Sequence, residues 1–215
     1  MAEKLLKEQD EEFAVALTNQ LIAASKYGLN HGDIWSYAKP LMLNIMSDYG
    51  DVLWPIFGNA IAQAEGMDRY WLQQILDRET GLASNMPSVL SVISVKNLIE
   101  WCEMLPDLGP VFVASCLNVF DTVEEQQQPS ELFVALLENF GNNQAVANEL
   151  STNMGTRSWS GSLVPYLELD KLALRSLIEH KNTNVRGWVK DHIAYIDRQI
   201  TEESNRDEEY DIRLH

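Results

Sequence analysis

The apolar positions of this chain recur at three- and four-residue spacing, and almost nowhere do they alternate with polar ones. That period belongs to helices buried along one face. Residues 10–27 place Phe13, Leu17, Leu21 and Ile22 on one stripe and stop at Gly28. Asp33 is placed to cap a short helix that Pro40 interrupts or restarts, and LMLNIMSDY then runs to Gly50. Asp51 caps VLWPIFGNAIAQAE, with Pro55 tolerated in the first turn and Gly66 as the stop. Asp68 caps RYWLQQILDRET, which ends at Gly81. Ser94 or Ser91 opens VKNLIEWCEML, stopped by Pro106, and Pro110 starts VFVASCLNVF. Ser130 caps ELFVALLENF with Gly141 behind it, and NNQAVANEL follows. Two longer helices, over residues 162–180 and 183–204, precede an acidic tail, EESNRDEEYD. No stretch alternates long enough to predict a strand, and VFVASCLNVF is the one run with some β character.

The pattern predicts an all-α protein of about nine or ten helices, each of roughly 10–20 residues, joined by short capped turns. The last pair carries the most information. In LALRSLIEHKNTNVRGWVKDHIAYIDRQI, Leu172, Leu174, Leu177 and Ile178 form one apolar face. Val185 and Arg186 open the next helix, with Trp188, Val189, Ile193, Ile196 and Ile200 on its face. This hairpin resembles a HEAT-type repeat, whose second helix begins with a Val-Arg pair after an Asn- or Asp-rich turn. The earlier hairpins share its period and carry Trp35, Trp54, Trp71 and Trp101, without the motif. The resemblance implies an irregular HEAT-like α-solenoid, in which each hairpin needs its neighbours to bury its apolar face. A compact helical bundle is the alternative architecture. The expected organisation is a single helical-repeat domain over residues 1–204 and an acidic tail over residues 205–215.

Charge changes the picture next. The chain of 215 residues has a formal net charge of −16, unevenly placed. Residues 51–150 hold fourteen carboxylates against Arg69, Arg78 and Lys96. Residues 97–156 hold nine carboxylates and no Lys, Arg or His. Such a stretch repels nucleic acid and anionic membrane and attracts a basic partner. A solvated surface kept for solubility is the plainer account. Cys102 and Cys116 are the only cysteines, each within an apolar run, which argues against a disulfide scaffold or a zinc site. No run approaches the ~18 apolar residues of a membrane span, and MAEKLLKEQDEEF is charged, unlike a signal peptide. A soluble, cytoplasmic protein is expected.

The stretch RSWSGSLVPYLE, residues 157–168, holds a knot of small residues. It lacks the G-x-S-x-G of a hydrolase elbow and the Gly-rich, Lys-Ser/Thr pattern of a phosphate loop. Gly161 with Ser160 or Ser162 before LVPYLELDKLALRSL is a helix start, with Pro165 in the first turn. His31, His180, His192 and His215 have neither HExxH spacing nor a cysteine partner, so no metal or other cofactor is expected. His180 lies near a helix end, where an imidazolium suits the dipole. The tryptophans fall on apolar stripes as core residues, and without interleaved basic residues nucleic-acid binding is disfavoured.

The carboxylates matter as a set. Glu100, Glu103 and Asp107 follow one another at three and four residues, opposite Leu98, Cys102 and Leu105. Glu131 and Glu138 lie seven apart, away from Phe133, Leu136, Leu137 and Phe140, and Asp121, Glu124 and Glu125 fall in the connection between. Stacked hairpins would join these eight into one acidic wall. Exposed helix-face acids are a poor match to a glycosidase acid–base pair, and no other catalytic constellation stands out, so an enzyme is not expected. The segment WSGSLVPYLE, the hairpin after it and the Glu-rich end resemble a C-terminal helical module of large bacterial conflict proteins, here without a nucleotide-binding motif. As a whole the chain looks like the all-helical immunity proteins of contact-dependent growth inhibition toxins. That resemblance implies a binding protein that covers a basic toxin domain, an RNase or DNase. The competing expectation is a scaffold or sensor working with a large defence NTPase.

Overall fold

The structure, a computed structural model, describes residues 11–26, 32–77, 86–156 and 159–214. Gly28, His31, Arg78, Gly81, Arg157, Ser158 and His215 lie outside the described residues. Mostly helical, it contains nine α-helices, one 3₁₀ turn and a small two-stranded hairpin among those residues. The chain divides into two compact units, Met1–Glu79 with Asn85–Leu117, and Thr80–Ser84 with Asn118–His215.

The first unit holds α1 (Glu11–Lys26), α2 (Gly32–Gln63), α3 (Gly66–Leu76), a 3₁₀ turn (Val89–Val92), α4 (Val95–Met104) and α5 (Gly109–Cys116). In α1 the buried seam is Ala14, Thr18, Ile22 and Ser25; of the expected stripe Ile22 is buried, while Phe13, Leu17 and Leu21 are half-buried. Small side chains on that seam allow close backbone approach to a neighbouring helix. The break expected at Gly50 is a kink, where the non-helical Tyr49 (φ −128°, ψ 20°) separates two helical halves of α2, whereas Pro40 does not end the first half. Met42, Ile45, Met46, Leu53, Trp54, Phe57 and Ile61 are buried along both halves, and this shared burial outweighs the hydrogen bonds the prolines remove.

Gly66, expected as a stop, is the first residue of α3 at φ +52°, and Asp68 lies in the first turn instead of capping. Arg69 closes the junction, its guanidinium donating to the Ala64 carbonyl at 2.5 Å. Ser88, fully buried, donates to the Leu76 carbonyl at 2.9 Å and accepts from the Leu90 N–H at 3.1 Å. Ser94 caps α4 by accepting from Asn97 N–H at 3.3 Å, as its position in the sequence predicts. The run with β character, residues 111–120, is helical only as far as Cys116 in α5, where Pro110 occupies the first turn, and its last residue, Phe120, begins a strand. Trp101 packs edge-on to Trp54 at 5.3 Å and to Phe112 at 6.0 Å.

The second unit opens with β1 (Phe120–Val123) and β2 (Gln126–Pro129), antiparallel, with Phe120 opposite Pro129 and Val123 opposite Gln126. This hairpin corrects the all-α expectation. Its two-residue turn is Glu124–Glu125, both in the left-handed region at φ 50° and 66°. The Asn-Gly signal that marks such a turn is missing, and four polar-rich residues per strand show no clear alternation. Ser130 fixes the hairpin base, donating to the Asn118 carbonyl at 2.6 Å while capping the Phe133 N–H at 3.2 Å.

After the hairpin come α6 (Glu131–Phe140), α7 (Gln144–Gly155), α8 (Val164–Arg175) and α9 (Thr183–Leu214). Before α8, Gly161 sits at φ +77° and Ser162 Oγ accepts from the Val164 N–H at 3.2 Å, so the small-residue knot is a helix start. At the α8–α9 turn Asn182 Oδ1 accepts from Asn184 N–H at 2.8 Å, and Arg186 donates to the carbonyls of His180 (2.5 Å) and Lys181 (2.9 Å). Leu174, Val185, Trp188, Val189 and Ile196 are buried. Leu172, expected on that core face, is 63% exposed, and Tyr166 and Leu169 on the same helix are exposed with it. The final helix does not stop near residue 204 but runs on to Leu214.

Candidate functional site

The eight carboxylates of the expected acidic wall divide between the units. In the first, Glu100 and Glu103 are exposed on α4 and Asp107 is exposed in the turn after it. Glu100 lies 3.7 Å from Lys96, one turn back, so one of the three is already paired. The other five belong to the second unit. Asp121 projects from β1, Glu124 and Glu125 form the hairpin tip, and Glu131 occupies the exposed first turn of α6, where the helix dipole favours it. Partial burial raises the carboxyl pKa of Asp121. Glu138 differs from these four. It is half-buried and turned towards the α8–α9 connection, with His180 Nε2 at 3.9 Å and Lys181 Nζ at 4.0 Å. Cations from outside the basic-free stretch thus supply the counter-charge for Glu138 and Glu100. Asp121, Glu124, Glu125 and Glu131 make no ion pair among the described residues.

A second group of polar and aromatic side chains lies in an open cleft between α7 and α9. The cleft, of about 450 Å³, is bounded by Gln144, Asn148 and Ser151 of α7 and by Asn184, Asp191 and Tyr195 of α9. Its floor is aromatic. His192, 6% exposed, stacks on Trp188 with ring centroids 4.6 Å apart and planes 7° apart, and Tyr195 stands 5.6 Å further on. Phe133 of α6 meets Trp188 edge-on at 5.3 Å. Two hydrogen bonds pin this floor to α7. The indole Nε1 of Trp188 donates to the Ala147 carbonyl at 3.2 Å, and Ser151 Oγ lies 3.3 Å from His192 Nδ1. A second cleft, about 260 Å³, shares Ser151, His192 and Tyr195 and continues between Trp159, Leu167 and Ile196.

A serine beside a histidine invites comparison with an activated nucleophile. Here Ser151 Oγ also donates to the Ala147 carbonyl at 3.1 Å. The Ala147 carbonyl thus competes with His192 for the single hydroxyl proton, which does not favour an activated nucleophile. The pair orients the imidazole. The cleft therefore offers hydrogen-bonding groups, one carboxylate and aromatic surface.

Trp54, Trp101 and Trp188 are buried, as their apolar stripes predict, while Trp71 is half-buried, Trp159 is 42% exposed, and the Trp35 side chain lies outside those described. The cleft itself was not singled out from the sequence. Trp188, Asp191, His192 and Tyr195 recur at helical spacing on α9, which is a readable signal of one shared face. Their partners on α7 are about forty residues away, and only folding brings them in. Among the described residues no group of three or more His, Cys, Asp or Glu is arranged to hold a metal ion, and no helix is long and apolar enough to cross a membrane. Comparison with family models, curated protein sequences and solved structures finds no match to this chain.

Proposed function

We propose that this chain is a cytoplasmic binding protein that neutralises a basic toxin domain, an RNase or DNase, in the manner of an immunity protein. The observation that carries this reading is the run Asp121, Glu124, Glu125 and Glu131. Four carboxylates on the hairpin and the helix after it face solvent without an internal cation. A nuclease must be basic to hold phosphates, and an exposed carboxylate surface competes for those groups while steering fast association. Glu100, Glu103 and Asp107 are exposed carboxylates of the first unit, and in the second Glu138 contributes less because His180 and Lys181 already face it. The HEAT-like solenoid is part of the same proposal. It is supported by Arg186, which returns to the last carbonyls of the preceding turn, and by the polar turn that Asn182 organises. The test is affinity capture from the native cell at low salt, with elution at rising salt. A basic toxin domain released only at high salt supports it, and charge reversal of Glu124, Glu125 and Glu131 then abolishes capture. Capture of no basic protein removes it.

A second reading is a scaffold or sensor module for a large defence NTPase. Its support is the apolar face of α8, where Tyr166, Leu169 and Leu172 are exposed. Nucleotide-dependent capture of a large partner, lost on Leu169→Asp and Leu172→Asp, would favour it over the first.

A further inference from the structure

We propose that the cleft between α7 and α9 is a pocket for a guanidinium group, the side chain of an arginine displayed by a protein partner. The proposal deepens the reading of the chain as a partner of basic proteins and rests on it for the source of the arginine. The pocket has a carboxylate, Asp191, that forms no ion pair among the described residues, and neither lysine nor arginine lines the space. An anionic ligand would meet Asp191 with no compensating cation, in a chain whose net charge is −16. A cation gains from both.

Shape selects among cations. The volume of about 450 Å³ is within the range of small-ligand clefts, ample for one extended side chain. The side-chain amides of Gln144, Asn148 and Asn184 line the same cleft as the exposed Asp191, and Asn148 Oδ1 already accepts from Gln144 Nε2 at 2.8 Å. A planar fork of five donors can use a carboxylate and amide oxygens together, whereas an ammonium is a compact point charge that keeps its water. Trp188 and His192 are buried and stacked on each other, while the exposed ring, Tyr195, has the Arg198 guanidinium over it at 5.9 Å from the centroid, the same kind of cation as the proposed ligand. The floor is held in place before any ligand arrives. The Trp188–Ala147 and His192–Ser151 hydrogen bonds fix both rings, so little ordering remains to oppose binding.

The test is a titration of the full chain with N-acetyl-arginine methylamide, followed by nitrogen–proton NMR. The Trp188 indole N–H and the amide groups of Gln144, Asn148 and Asn184 should shift saturably, and N-acetyl-glutamine methylamide should leave them in place. Asp191→Asn should weaken binding about tenfold, the loss expected of one charge-assisted hydrogen bond. Glu202→Gln, an exposed carboxylate of the same helix outside the cleft, should not. Three results would overturn the pocket: no saturable shift, an equal response to the neutral probe or to a neutral sugar, or equal weakening by both substitutions. Tighter binding of free arginine than of the blocked form would assign the cleft to a metabolite and overturn the partner's part. Failure here with salt-sensitive capture intact leaves the acidic surface as the binding face. Saturable binding of the probe with no basic protein captured removes the immunity reading and keeps the pocket.

Discussion

The indole of Trp188 donates to the carbonyl of Ala147 at 3.2 Å, joining two helices whose contacting residues are forty-one positions apart. Ser151 Oγ donates to that same carbonyl, and the Trp188 ring lies flat on His192. One backbone oxygen thus anchors the floor of the cleft. Trp188→Phe keeps a ring against Phe133 and removes the donor. It should lower the unfolding free energy by about 1–2 kcal/mol, from a lost hydrogen bond and a small void. Urea denaturation of the two proteins measures it. Unchanged stability would mean that water replaces the indole N–H at no cost.

Two glycines should respond to alanine with opposite signs. A Cβ on Gly58 of α2 would come within 2.7 Å of Trp101 Nε1 and 3.0 Å of its Cδ1, in a packed aromatic cluster. Gly58→Ala should destabilise by about 1–3 kcal/mol despite the gain in helix propensity, because overpacking outweighs it. A Cβ on Gly187 of α9 meets no atom within 4 Å. Gly187→Ala should therefore stabilise by about 0.5–1 kcal/mol. Thermal melts of both variants decide the matter.

The turn at Glu124–Glu125 holds two L-residues in a conformation that glycine and asparagine adopt more readily. Replacement by Asn-Gly should raise stability by about 1–2 kcal/mol while removing two exposed charges. If the tip contacts a basic partner, the same variant should bind that partner more weakly, and isothermal calorimetry in parallel with chemical denaturation separates the two effects. A variant that gains stability and keeps full affinity would place the contact away from the hairpin.

Partial burial raises the pKa of Asp121 above its ordinary value of 3.8. The folded state then holds the proton more tightly than the unfolded state, so this group favours folding below the ordinary aspartate range. That contribution is lost as pH rises through the raised pKa. Asp121→Asn should melt slightly higher than the natural chain at pH 7, and the gap should close as pH falls below 3.8. Melting curves across pH 3–7 read the difference. A gap that widens on acidification would contradict the assignment.

Burial, followed by the charge of Glu103, pushes the Cys102 thiol up to about 12. Cys116 is likewise buried. In native protein at pH 8 neither thiol should react with Ellman's reagent on the timescale of minutes, and both should react at once in guanidinium. Fast labelling of the native chain would show that the α4–α5 region opens locally.

What was legible in the sequence is local physics. Helical periods, the serine caps at Ser94 and Ser130, and the start of α8 at the Gly161–Ser162 knot follow from bonds spanning a few residues. The exposure of Asp121, Glu124, Glu125 and Glu131 follows from the cost of burying an unpaired charge. Three kinds of feature depended on the tertiary structure. A buried seam carries the first half of α2 past Pro40 as far as the kink at Tyr49, beside Gly50. The hairpin exists because Ser130 and Asn118 close its base and Gln127 ties it to Asp170 at 3.1 Å, across forty-three residues. The cleft exists because α9 lays Trp188 and His192 against α7. The same distinction separates Glu131, which stays open to solvent, from Glu138, which folding brings to His180 and Lys181. Periodicity says which residues share a face of one helix, but what that face meets is set by the packing of distant elements, and that packing decides which charges are paired and which remain free.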